Sequence, residues 1–199
     1  MNNISIAEIY QIKQPYSGQS ITISGPSAVG KSTIGKAVAD KINVPFYDLD
    51  DEVSTTAGFA TTQEVIQTLG HNEFKIIQQR CLQKITQTIA GRYVLACGGE
   101  IQRPGYDRQI ISDNRSLITK HTYNICLFPS TELDESVEVL FPRLNDGKRD
   151  TGTTGKTVEV FRTYIDVFSQ YSDLADSIVL THRASVHDVV SNVLKVLST

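Results

Sequence analysis

No feature of this 199-residue chain restricts its fold more than residues 25 to 32, Gly-Pro-Ser-Ala-Val-Gly-Lys-Ser. The stretch has the form G-x-x-x-x-G-K-S. It follows an apolar run, Ile21-Thr22-Ile23, and precedes a helical pattern from Ser32 to Lys41. A strand, a glycine-bearing loop and a helix in that order make a phosphate-binding loop. Gly25 and Gly30 let the backbone wrap a polyphosphate with its N–H groups turned inward. The helix start adds unpaired N–H groups and the positive end of its dipole. Lys31 supplies a cation for the β- and γ-phosphates, and Ser32 a hydroxyl for Mg²⁺. Ala28, Val29 and Thr33 complete the set expected to line the nucleotide. The loop predicts binding of a nucleoside triphosphate, and by itself says nothing of what is done with it.

The rest of the composition narrows the setting. A hydrophobic share of 40% with 21% charged residues is ordinary for a globular domain large enough to bury a core. A formal net charge of −3 argues against nucleic-acid binding through a basic surface. No apolar run approaches the roughly 20 residues needed to cross a bilayer. Met1 to Tyr10 lacks the basic-then-apolar pattern of a signal peptide. Cys81, Cys97 and Cys126 are odd in number and widely spaced, which suits reduced, buried thiols in a cytoplasmic protein. The expectation is a cytoplasmic protein with neither a nucleic-acid nor a membrane partner.

Apolar, β-rich runs alternate with helical patterns, the signature of a parallel sheet covered on both faces. Strands are predicted at Ser20–Ile23, Phe46–Asp48, Tyr93–Cys97, Tyr123–Phe128 and Ser177–Leu180. Helices are predicted near 32–42, 62–90, 131–144, 156–170 and 186–197. Thr61 with Glu64, and Ser185 with Asp188, have capping-box spacing. Residues 1–18 read as an N-terminal extension that can pack on the sheet, and 19–199 as the main domain. The polar, Gly-rich stretch 145–157 is expected to be a lid loop.

In such a sheet, ligands collect at the carboxyl ends of the strands. The second predicted strand leads into Asp48-Leu49-Asp50, and continued alternation would turn both carboxylates to one side. One would hold Mg²⁺, and the other would bind or deprotonate an attacking hydroxyl. The plainer alternative is an acidic turn capping the next helix. The third strand runs into Gly98-Gly99-Glu100, where paired glycines permit a ligand close to the backbone. Lys75 is a candidate cation for an anionic substrate, although a lysine is more often solvent-facing.

Together these pieces resemble the shikimate kinase family, in order over most of residues 20–180. The resemblance comprises Gly25–Ser32 with Thr33, Phe46-Tyr47-Asp48-Leu49-Asp50, Gly58, Gly70 with Phe74-Lys75, and Cys97-Gly98-Gly99. Arg143, Arg149 and Tyr171-Ser172-Asp173-Leu174-Ala175-Asp176 complete it. It implies a P-loop NTPase three-layer α/β sandwich, with a five-stranded parallel sheet in the order 2-3-1-4-5. It also implies transfer of the γ-phosphoryl group of ATP to a ring hydroxyl of shikimate. By resemblance Asp48 looks toward Mg²⁺, Asp50 binds the substrate hydroxyls, and Gly98 and Gly99 line the substrate site. Arg149 becomes the lid cation for the transferred phosphoryl, and Arg143 packs against adenine.

The departures lie on the acceptor side. Family members carry arginine where this chain has Lys75, which keeps the charge and loses the two-pronged fork. A second carboxylate-binding arginine is replaced by Val167, the third glycine of Gly-Gly-Gly by Glu100, and the residues after Arg149 by Asp150-Thr151-Gly152. Loss of a charged partner at a buried carboxylate site costs on the order of 2–5 kcal/mol of binding. The expected acceptor is therefore shikimate or a related cyclitol, including an amino-bearing one that Glu100 would pair with. A nucleotide-binding regulator with impaired catalysis is the rival reading. Gly152 to Thr157 imitates a second phosphate loop but is one residue short and follows no strand. His71, His121, His182 and His187 are spaced for neither a metal site nor a triad.

Overall fold

The computed structural model describes residues 8–98, 101, 108–145 and 158–199, apart from the side chains of 160, 161, 164 and 167–171. Its strands are β1 (Glu8–Ile12), β2 (Ser20–Ser24), β3 (Phe46–Asp48), β4 (Val94–Ala96), β5 (Thr122–Phe128) and β6 (Ser177–Leu180). The helices are α1 (Lys31–Ile42), α2 (Leu49–Ala57), α3 (Thr62–Thr88), α4 (Arg108–His121), α5 (Leu133–Leu144), α6 (Val158–Ser169) and α7 (Val186–Val196). A short 3-10 turn, Gln170–Leu174, leads into β6.

The strands form one six-stranded sheet in the order β1-β6-β5-β2-β4-β3. The five strands anticipated from the sequence are parallel to their neighbours, in the expected order. The expectation of a purely parallel five-stranded sheet is corrected by β1, which joins β6 antiparallel at the edge. Residues 8–12 are thus part of the sheet. Beyond the strand, Lys13 N–H donates to Asp176 O at 2.8 Å, and Lys13 Nζ donates to Ser172 O and Asp173 O at 3.0 Å. Tyr123 Oη donates to Gln14 O at 2.7 Å.

Alternation in the buried strands assigns one set of side chains to each face. Ile21, Ile23, Tyr123, Ile125, Leu127 and Val179 meet Ile34, Val38 and Ala39 of α1 and Val189, Val193 and Val196 of α7. On the other face Leu95 and Cys97 meet Leu49 and Val53 of α2, Phe74, Ile77, Leu82 and Ile85 of α3, and Leu117 and Ile118 of α4. The second face of the β2–β5 pair is polar and hydrogen-bonded, as buried polar groups must be. Thr22 Oγ1 meets Thr122 Oγ1 at 2.8 Å, and Ser24 Oγ donates to Asn124 Oδ1 at 2.8 Å.

Two helices escaped the sequence reading. α2 begins immediately at the end of β3, leaving no loop to announce it. α4 buries only Asn114, Leu117 and Ile118 inside its span, too few apolar positions to mark a face. The helix starts came out closer. Ser185 and Asp188 form the complete capping box of α7. Thr61 caps α3 through Glu64 N–H, while the Glu64 carboxylate accepts from Ala60 N–H.

The close packing of the loop onto the sheet centres on Gly25. It has φ +135°, and a Cβ there would stand 2.3 Å from the Leu127 carbonyl oxygen. We expect Gly25→Ala to lower stability by about 3 kcal/mol or more through strain and overpacking. Denaturant titration should show a reduced midpoint with an unchanged slope.

Candidate nucleotide and acceptor site

The loop after β2 is built from alternating backbone hands. Gly25, Ala28 and Gly30 all have positive φ, at +135°, +63° and +107°. Such alternation turns successive N–H groups into one concavity, the arrangement that receives an anion. Gly30 is the N-cap of α1, so Lys31, Ser32 and Thr33 open the helix. Lys31 and Ser32 are half-buried and Thr33 is exposed, while Val29 is buried in the core beneath the loop. Lys31 Nζ donates to Pro26 O at 2.9 Å. Arg143, in the last turn of α5, reaches the same loop, with Nη1 donating to Ala28 O at 3.4 Å.

Asp48 and Asp50 lie at the carboxyl end of β3. The expected extension of that strand through Asp50 is corrected, because β3 ends at Asp48 and Leu49 already belongs to α2. The carboxylates come together for a different reason. Asp48 is the N-cap of α2 and its Oδ1 accepts from Asp50 N–H at 3.1 Å, which sets Asp50 in the first helical turn. The capping alternative and the paired-carboxylate reading describe the same residues. Both acids act on Lys31. Burial lowers the Lys31 ammonium from its ordinary value, and Asp50 and then Asp48 oppose that shift. Asp51, alongside, is raised by partial burial and by Asp48.

Gly98 closes the cluster from β4. A Cβ on it would lie 3.0 Å from Asp50 Oδ1 and 3.4 Å from Oδ2, so the Asp50 carboxylate rests against this backbone. Cys97 and Cys126 complete the floor. Burial pushes both thiols up, Cys126 to about 12, and the carboxylates of Asp50 and Asp48 add to the shift of Cys97. Among the described residues no group of three or more His, Cys, Asp or Glu is placed to hold a metal.

Lys75 is not a solvent-facing lysine. Gly70 breaks α3 with φ +84° and ψ 164°, and the resumed helix carries Lys75 at 6% exposure. Two buried side chains were passed over in the sequence. Gln78 is 2% exposed and its Nε2 has no hydrogen-bond partner among the described residues. Asn114 is 1% exposed, and its Nδ2 donates to Ile101 O at 3.4 Å. An unpaired buried amide costs on the order of 1–3 kcal/mol. The signal for Gln78 was available as a polar residue on the row Phe74, Gln78, Cys81, Ile85. Gly99, Glu100, Arg149 and all but the first residue of the expected lid 145–157 lie outside the described residues, as does the Val167 side chain.

The sequence model of the shikimate kinase family matches residues 27–198, nearly the whole of this architecture. The chain belongs to the shikimate kinase family. That places it among small-molecule kinases. It is similar to the shikimate kinase of Legionella pneumophila, 27% identical over 179 residues, covering 90% of this chain and 94% of the relative. A Staphylococcus aureus shikimate kinase is 26% identical over 178 residues, covering 89% and 92%. The shikimate kinase of Acinetobacter baumannii, solved in complex with shikimate, shares the fold with a TM-score of 0.76. It is 20% identical, and the match covers 92% of this chain and 94% of that one. Among the described residues no helix is long and apolar enough to cross a membrane.

The thiols near Lys31 yield a prediction. Cys81, Cys97 and Cys126 are free and buried, and two of them are held well above the ordinary thiol range. Thiolate is the reactive form. Ellman's reagent at pH 8 should therefore label the native protein slowly and all three cysteines at once after denaturation.

Proposed function

We propose that this chain is an ATP-dependent kinase that transfers the γ-phosphoryl group to a hydroxyl of a small polyhydroxylated acceptor, shikimate or a related cyclitol. The observation that carries this reading is the meeting of Lys31, Asp48, Asp50 and Gly98 where the start of α1, the β3–α2 junction and the end of β4 come together. A phosphate loop alone binds a nucleotide. A carboxylate held beside its lysine and against an open glycine backbone also gives a place for an attacking hydroxyl.

Each residue then has a physical task. The backbone of Gly25, Ala28, Val29 and Gly30 receives the phosphates, and Lys31 neutralises charge on the transferring group. Asp50 orients the acceptor hydroxyl and takes its proton. Gly98, with Gly99, admits the acceptor close to the chain, and Lys75 and Glu100 face its polar groups. Arg149 is assigned the cation of the closing lid, and Arg143 the packing against adenine. Ser32 and Asp48 offer two oxygen ligands, which suits Mg²⁺, an ion that completes its shell with waters and substrate phosphates. When bound, the ion would neutralise charge between the β- and γ-phosphates. We assign the protein to the cytoplasm as a monomer or weak dimer, with a kinase domain of residues 19–199 whose sheet takes its edge strand β1 from the preceding extension.

A nucleotide-binding regulator without turnover draws support from Val167, which stands where the family has a carboxylate-binding arginine. The retained cluster of Lys31, Asp48 and Asp50 favours the enzyme. ADP-coupled assays with shikimate, quinate and inositols decide between them. We expect turnover of at least one acceptor, and none of any acceptor would remove the kinase reading. Lys31→Ala should abolish transfer. Asp50→Asn should lower kcat by about 100-fold or more while leaving ATP affinity nearly unchanged, and an undiminished kcat would exclude Asp50 as the base.

A further inference from the structure

We propose that Gln78 reads the acceptor beside Lys75, donating a hydrogen bond from Nε2 to the acceptor's carboxylate. The assignment rests on the kinase reading above. After the break at Gly70, α3 turns Phe74, Gln78, Cys81 and Ile85 to its buried side, a row at helical spacing. Three of these pack into the apolar cluster; the fourth is an amide, 2% exposed, whose Nε2 meets no acceptor among the described residues. Any unbranched apolar side chain would fill that position without stranding a donor.

The surroundings indicate what the donor is for. Phe74 and Ile77 share a cluster with Leu49, Cys97 and Ile101. Leu49 immediately precedes Asp50 and Cys97 immediately precedes Gly98, so this stretch of α3 backs the acceptor end of the sheet. Lys75 stands three residues before Gln78, one turn away on the same helix and likewise buried. Asn114, the other buried amide nearby, gives its Nδ2 to Ile101 O and leaves an acceptor, which cannot serve an anion.

Chemistry then selects the ligand group. A carboxylate offers two oxygens. A guanidinium engages both, whereas an ammonium is a point charge that engages one well. With three N–H donors, Lys75 can hold a carboxylate oxygen as well as an internal partner. The Gln78 amide supplies the second prong. Lys75 and Gln78 together thus replace part of what a single arginine fork would provide, with less charge.

The test is steady-state kinetics of Gln78→Met with ATP, using shikimate and its analogue with a methyl group in place of the carboxylate as acceptors. The KM for shikimate should rise about tenfold, with kcat and the KM for ATP within about twofold of wild type. The melting temperature should not fall, since an unpaired amide is removed. With the methyl analogue, which offers Nε2 no acceptor there, the two proteins should differ by less than about twofold. An unchanged shikimate KM, or an equal rise for both acceptors, would overturn the assignment while leaving the kinase reading intact. Gln78→Leu repeats the test should the methionine variant fold poorly. Wild-type protein that neither binds nor phosphorylates shikimate would remove the assignment outright. If shikimate binds without being phosphorylated, the same weakening of about tenfold by Gln78→Met is read in its Kd, and an unchanged Kd overturns the assignment, while the kinase reading stands or falls on the other acceptors.

Discussion

The approach of the Gly25 backbone to the carbonyl of Leu127 governs the ligand end of this protein. With no side chain at Gly25, the chain leaving β2 runs flat across β5. The turn that follows can then place Gly30 at the start of α1 and Lys31 one residue inside it. A bulkier residue would lift the loop from the sheet and carry the lysine with it. The same economy of space recurs at Gly35, where a Cβ would meet Phe46 Cε2 at 2.8 Å, so α1 lies close upon β3 and β4. Two absent side chains thus bring the helix carrying the cation near the strand that ends in Asp48.

From that geometry follows an electrostatic balance. Burial acts against the charge of Lys31, and Asp50 and Asp48 act for it. Neighbouring carboxylates favour the charged form of an ammonium that burial disfavours. The carboxylates are themselves held by backbone: Asp48 through its cap on α2, Asp50 against Gly98. Their spacing is therefore set by a helix start and a strand end, rigid parts of the fold, and not by side-chain rotamers alone.

Much of this was legible in the chain. The alternation of apolar runs with helical patterns gave the five parallel strands, because buried strands and amphipathic helices have different periods. The phosphate loop was readable because its glycines and lysine serve local geometry. Asp48 and Asp50 were found with a faulty premise: alternation ended at Asp48, and a helix cap did the work assigned to the strand. β1 was not legible, since its residues Glu8–Ile12 are mostly exposed at a sheet edge and lack an alternating apolar pattern. α4 was missed for the complementary reason, a largely polar surface. The burial of Lys75 and Gln78 depends on tertiary contacts of α3 with α2 and α4, which no local window contains.

The edge strand has a consequence for the order in which the molecule is assembled. Among the described strands β1 is hydrogen-bonded to β6 alone, and the anchor that follows it, Lys13, grips a carbonyl 160 residues further along. During synthesis β1 has no partner until β6, the last of the described strands, has been made. The β2–β4–β5 centre can form earlier, from segments closer in sequence. β1 is thus the last of the described strands to be paired, a late seam between segments far apart in sequence.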